Sequence, residues 1–148
     1  MFTDKFATRL NSFKSNWKNG GNPSIQDLIK RASSVNGLTH VDLNYPDHTN
    51  PNIKEIVSFT NDSGLKINGF AMRYYTNPSF KLGAFTNPDR KVRQEAIDLT
   101  KKAIDSLRHT DSNLLTIWLG QDGFDYGFQV DYKKIWDDEI NALKEIAE

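Results

Sequence analysis

Apolar residues along the chain fall into short runs, separated by longer stretches in which they return every third or fourth position. The runs occupy about residues 6–13, 38–45, 65–72 and 114–119, and they predict four β-strands. The longer stretches predict helices, each with one apolar face. Ile25, Leu28, Ile29, Ala32 and Val35 form the first face; Ile53, Ile56 and Val57 form the second. Val92, Ala96, Leu99, Ala103 and Leu107 form the third, and Tyr132, Trp136, Ile140, Leu143 and Ala147 the fourth. The punctuation agrees with this reading. Ser24 with Asp27 three residues on is a short capping box. Pro51 and Pro88 suit a first helical position. Asn36-Gly37 and Asp62-Ser63-Gly64 read as stops.

The pattern is therefore strand-helix, repeated four times, with no linker, low-complexity segment or second domain. A single domain over residues 1–148 is expected. Alternating βα units predict a parallel sheet covered by helices. Two completions exist: an open doubly wound sheet and half of an eight-stranded barrel. Central strands of an open sheet are buried on both faces and read as continuous apolar runs. Here Val41 and Leu43 are apolar, while His40, Asp42 and Asn44 share the opposite face. Leu115, Ile117 and Leu119 likewise oppose Thr116 and Trp118. One face suits helices and the other a polar lumen. The expected fold is α/β: four consecutive βα units with a parallel sheet, resembling half of a (β/α)8 barrel.

Composition narrows the function classes. Lysine and arginine number 19, as do aspartate and glutamate, so the net charge is zero. A nucleic-acid binder normally shows a basic surplus, and anionic lipid needs a polybasic handle; neither partner is expected. Hydrophobic residues make up 37% and charged residues 26%, a soluble globular balance. No run approaches the ~20 apolar residues of a membrane span, and the first residues hold no apolar run of signal-peptide length. The absence of cysteine excludes disulfides, thiolate metal sites and a cysteine nucleophile. It fits a reducing, cytoplasmic compartment.

In α/β proteins of either kind, ligands sit at the C-terminal ends of the strands. The densest polar group near such an end is His40, Asp42, Asn44, Asp47 and His48. A metal site needs three or more ligands converging on one ion, and His40 lies too deep in its strand to join the loop residues. The cluster therefore reads as a hydrogen-bonded lumen plus a polar turn. His109 falls near the end of the third helix, where a cation complements the dipole. The loop after the fourth strand carries Gly120, Gly123 and Gly127 with Asp122 and Asp125. It lacks the lysine of a phosphate loop and does not match GxGxxG, so no nucleotide site is expected. Trp118 is open between a core tryptophan and a wall for the apolar face of a sugar.

Two stretches carry a resemblance: GAFTNPDRKVR at residues 83–93 and IWLGQDG at residues 117–123. With one helix between them, they are similar to motifs of the xylose-isomerase-like barrel family. The segment Thr76-Asn77-Pro78-Ser79-Phe80 is similar to the family's linker before the first motif. The resemblance implies (β/α)8 barrels that isomerise or epimerise sugars with divalent metals (manganese, magnesium or cobalt). It places Trp118 on the tryptophan that walls the sugar pocket, and Tyr75 on an aromatic position of the same pocket. Asp122 takes the place of a glutamate in the strand-four loop, one carbon shorter. Asn44 falls where xylose isomerases carry the histidine that assists ring opening. Asparagine can hydrogen-bond a sugar hydroxyl but cannot shuttle a proton; His48 lies nearby.

In the resembled family the metal carboxylates, metal histidine and catalytic lysine lie on strands five to eight. The resemblance therefore implies that this half alone binds no metal. It implies the N-terminal part of a sugar isomerase or epimerase, inactive in isolation. The alternative is a non-catalytic half-barrel acting as a sugar-binding or assembly module. A further branch of the superfamily, the metal-dependent abasic-site endonucleases, is disfavoured by the zero net charge and the lack of a histidine-rich ligand set. Either favoured reading leaves unpaired strand edges, which invite association. The expected partners are a sugar and either a second copy or a C-terminal half-barrel.

Overall fold

The computed structural model describes residues 4–17, 20–50, 52–120 and 124–148. Four parallel strands form one sheet in chain order: β1 (Ala7–Arg9), β2 (His40–Tyr45), β3 (Lys66–Met72) and β4 (Leu115–Thr116). Helices follow them in alternation: α1 (Ile25–Ser33), α2 (Ile53–Asp62), α3 (Arg90–Leu107) and α4 (Tyr132–Ala147). This is the expected parallel α/β order. No described helix is long and apolar enough to cross a membrane. The chain divides into two compact units. One runs to Ala71 and takes in Asp105–Thr116; the other holds Met72–Ile104 and Ile117–Glu148.

The first unit contains the sheet. β1 pairs with β2 in the register Ala7–His40, Thr8–Val41 and Arg9–Asp42. β3 pairs with β4 through Phe70–Leu115 and Ala71–Thr116. Val41 and Leu43 are fully buried with Leu10, Leu28, Ile29 and Ala32, so one face of β2 packs against apolar side chains. The opposite face is polar: the Asn68 carboxamide donates to Asp42 at 2.7 Å, and the Ser112 hydroxyl donates to the Asn68 carbonyl. The capping box of α1 is formed, with the Asp27 amide donating to the Ser24 hydroxyl at 3.1 Å and the Ser24 amide donating to Asp27 at 3.0 Å. The N-cap of α2 is Asn52, whose carboxamide oxygen accepts from the Lys54 amide. That helix therefore starts beyond the Asn-Pro pair rather than at it.

Two strands are shorter than expected. Of the run 6–13, only Ala7–Arg9 is strand; Leu10–Lys14 is a 3-10 helix. Asn11, Ser12 and Lys14 have little β-propensity, and Leu10 and Phe13 stand three apart, the spacing that eclipses in a 3-10 turn. The Arg31 guanidinium donates to the Phe13 and Ser15 carbonyls, each at 2.8 Å, so those two carbonyls are bonded to a helix side chain. Of the run 114–119, only Leu115–Thr116 pairs. Leu114 is 45% exposed and Trp118 49% exposed, so this run is apolar without being core. Gly69 sets the approach of the two strands. A Cβ there would lie 2.6 Å from the Leu114 carbonyl oxygen, which accepts from the Phe70 amide at 3.0 Å.

The second unit is organised by aromatic packing. Tyr74, Phe80 and Phe85 are buried. Tyr74 meets Phe80 edge-on at 5.9 Å and Phe85 at 5.3 Å between ring centroids. The Thr100 hydroxyl donates to the Ala96 carbonyl at 2.7 Å. Its oxygen therefore accepts from the Tyr74 hydroxyl, 2.6 Å away. The expected stripe of α3 is on the inside: Ala96, Ala103 and Leu107 are buried. The stripe of α4 is not. Tyr132, Trp136 and Leu143 are 50%, 66% and 41% exposed, while Ala142 is buried. α4 meets α3 through polar groups: Arg93 with Asp138, Lys101 with Glu145, and the Gln94 carboxamide donating to Glu145.

Candidate functional site

The residues expected to bind a ligand lie at the C-terminal ends of the strands, where a parallel sheet leaves its loops. They form two pairs, one in each unit. In the first unit, Asn44 lies near the end of β2, and His48 sits in the turn that follows the cis Tyr45–Pro46 bond. Both are buried, at 2% and 5% exposure. The Asn44 amide donates to His48 Nδ1 at 3.1 Å, and the His48 amide donates to the Asn44 carbonyl at 2.8 Å. An Nδ1 that accepts carries no proton, so in the neutral ring the proton is on Nε2. His48 is thereby fixed in ring orientation and tautomer. The Asn44 carboxamide oxygen is buried and has no hydrogen-bond partner among the described residues, which leaves it open to a donor.

In the second unit, Tyr75 follows β3 and Trp118 follows β4. Their rings meet edge to face, 5.4 Å between centroids at 71°. The Arg73 guanidinium lies 4.4 Å from the Tyr75 centroid, so Tyr75 is held on one side by a cation and on another by Trp118. Gly120, at φ 73°, completes the arrangement. A Cβ there would come within 2.8 Å of the Tyr75 ring. Half of the Trp118 surface stays open. An exposed, edge-braced indole offers an apolar face to the C–H side of a ring-shaped polyol.

Asp122 lies outside the described residues. Sequence reasoning missed Arg73 and the clearance at Gly120. The Arg73-Tyr74-Tyr75 triplet directly after β3 was the available signal, since residues i and i+2 can stack beyond a strand end.

His40 and Asp42 stand apart from these pairs. Asp42 is engaged by Asn68, and His40 Nδ1 lies 2.7 Å from the Thr39 hydroxyl. Burial holds the His40 ring below the ordinary histidine range. Lys5 and Lys66 push the same way, against Asp42. A cavity of about 610 Å³ opens beside it at the N-terminal ends of the strands, lined in part by Lys5, His40, Lys66 and Asn113. Among the described residues, no group of three or more His, Asp or Glu could hold a metal ion.

With the geometry in place, comparison with known proteins defines the class. The chain carries, in part, the fold of sugar isomerases and epimerases, and the resemblance to the xylose-isomerase-like barrel family stands. No family model matches the chain. It is 26% identical over 128 residues to the xylose isomerase of Thermus thermophilus, covering 86% of this chain and 30% of that protein. Among solved structures, it is similar to D-psicose 3-epimerase from Clostridium cellulolyticum H10, with a TM-score of 0.66 at 16% identity. It is also similar to an L-ribulose 3-epimerase, with a TM-score of 0.64 at 14% identity. Each likeness covers 97% of this chain, but only 47% and 44% of the respective neighbours. The chain thus spans less than half the length of the proteins it resembles.

Proposed function

We propose that this chain is the N-terminal part of a sugar isomerase- or epimerase-like barrel, folded as a single half-barrel domain and acting in the cytoplasm. Its contribution is sugar recognition. The Tyr75–Trp118 pair, with Trp118 exposed and Tyr75 braced by Arg73, is the observation that carries the reading. Within the second unit, Trp118 with Tyr75 receives the apolar face of a monosaccharide; within the first, and considered by itself, Asn44 offers its carboxamide oxygen to a hydroxyl donor, with His48 beside it. Asp122 adds a carboxylate acceptor from the loop after β4. The divalent metal and the base of the reaction belong to the remainder of the barrel, as the resemblance to the xylose-isomerase-like family implies.

The second reading, a half-barrel that binds or assembles without catalysis, is favoured by the exposed apolar face of α4. Both readings share the sugar wall. Titration of the chain with ketohexoses and aldopentoses, followed by calorimetry or by the tryptophan NMR signals, should detect weak binding. Trp118→Ala should weaken it roughly fivefold, the loss of about 1 kcal/mol of aromatic contact. Unchanged affinity in that variant would remove Trp118 from the site and the proposal with it.

A further inference from the structure

Arg73 follows β3 directly and is half-buried beside the aromatic wall. Its Nε is shut off from solvent and has no hydrogen-bond partner among the described residues. No carboxylate of those residues pairs with its guanidinium; what it meets is the Tyr75 ring, 4.4 Å away. That contact draws on the positive charge and replaces no hydrogen-bond acceptor. The charge itself is permanent, because a guanidinium keeps its proton in a protein. Two other half-buried arginines show the ordinary outcome. Arg31 donates to the Phe13 and Ser15 carbonyls, and Arg93 to the Asn87 and Pro88 carbonyls with Asp138 beside it. A buried cationic donor left without an acceptor is costly and calls for one.

We infer that Arg73 holds an oxyanion carried by the sugar, so that the ligand of the Tyr75–Trp118 wall is a monosaccharide bearing a phosphate or a carboxylate. The inference rests on the sugar wall of the proposed function and names the class of sugar it takes. All three side chains belong to the second unit. Arg73 lies over the Tyr75 ring, and Trp118 meets the same ring edge to face at 5.4 Å. One small ligand lying along the indole therefore comes within reach of the guanidinium. Tyr74, between them in sequence, is anchored in the core against Phe80 and Phe85. The backbone that carries Arg73 and Tyr75 is thus held before any ligand arrives. A sugar hydroxyl could also accept from Arg73, but it brings no charge to oppose the cation. Phosphate and carboxylate do, and the planar fork of a guanidinium matches their paired oxygens.

Calorimetry on the full chain should compare matched pairs: D-fructose with D-fructose 6-phosphate, and D-galactose with D-galacturonate. In at least one pair the charged member should bind roughly tenfold more tightly. Which pair responds tells phosphate from carboxylate. The preference should shrink as salt is raised. Arg73→Gln should bring the ratio of the two affinities to about one, and Arg73→Lys should keep part of it, since lysine retains the charge and loses the fork. An arginine that only braces Tyr75 would lower both affinities together and leave their ratio alone; that result overturns the inference. Equal binding of both members in each pair overturns it too, and leaves the sugar wall standing. A preference that emerges only in Asp122→Asn would assign that carboxylate to Arg73 and has the same consequence. Failure of every sugar to bind, neutral or charged, removes the wall and this inference with it.

Discussion

At the scale of single residues, His40 shows how placement alters an ordinary side chain. It begins β2, half-buried, with Lys5 and Lys66 near and Asp42 two positions on. Burial and the two ammonium groups disfavour its charged form, and Asp42 only partly opposes them. The folded ring therefore takes a proton at lower pH than the unfolded ring, whose ordinary value is 6.5. Between those two values the unfolded chain binds more protons, so stability falls as pH falls through that window. Once both states are protonated the slope disappears. His40→Gln should remove this component. The gap in urea midpoint between samples above and below pH 6.5 should be smaller in the variant than in the parent. An unchanged gap would mean that burial at His40 does not govern its titration. The nearby Asn44–His48 pair behaves differently, because its backbone amide fills Nδ1 and fixes the ring by hydrogen bonding rather than by charge.

At the scale of elements, what could be read from the sequence depended on whether a local signal was decisive. α1 was legible because Ser24 and Asp27 make their cap within one turn. β2 was legible because its polar and apolar positions alternate. The ends of β1 and β4 were not, since apolar runs do not say how many residues find a ladder partner. Arg31 capturing the Phe13 and Ser15 carbonyls comes from a helix far along the chain. α4 makes the same point differently. Periodicity tells which residues share a face, not which face is covered. For the site, Tyr75 and Trp118 were found from a resemblance, and the structure brings their rings together. The bracing by Arg73 and the room left by Gly120 needed coordinates. β4 depends on one such clearance. Gly69→Ala would put a methyl group 2.6 Å from the Leu114 carbonyl oxygen, which is backbone and cannot swing aside. The β3–β4 pairing should loosen at a cost of about 1–3 kcal/mol. Urea denaturation should show the loss, and amide exchange should show faster exchange at Phe70, whose hydrogen bond goes to that carbonyl. Unaltered stability would mean that β4 is not held by this ladder.

At the scale of the molecule, length and chemistry bear on each other. The chain matches 30% of a xylose isomerase and 47% of a D-psicose 3-epimerase. Barrels of this architecture run to about 250 residues, with ~200 as a practical floor. Moving a proton or hydride between adjacent sugar carbons needs a positioned base or a Lewis acid, together with a dry pocket. The described residues hold an exposed indole, a carboxamide oxygen without a hydrogen-bond partner and a histidine ring held at Nδ1. His48 is the one side chain among them of a type that exchanges protons, and its Nδ1 is already committed to the Asn44 amide. On the proposed reading, the isolated chain should therefore bind monosaccharides without interconverting them. Incubation with D-tagatose, D-psicose and D-xylose, with and without manganese or magnesium, should leave each sugar unchanged by chromatography over days. Turnover that requires the metal would show that this chain assembles a complete site. Turnover abolished by His48→Gln without metal would instead assign the base to this half. Either result would replace the recognition role with a catalytic one.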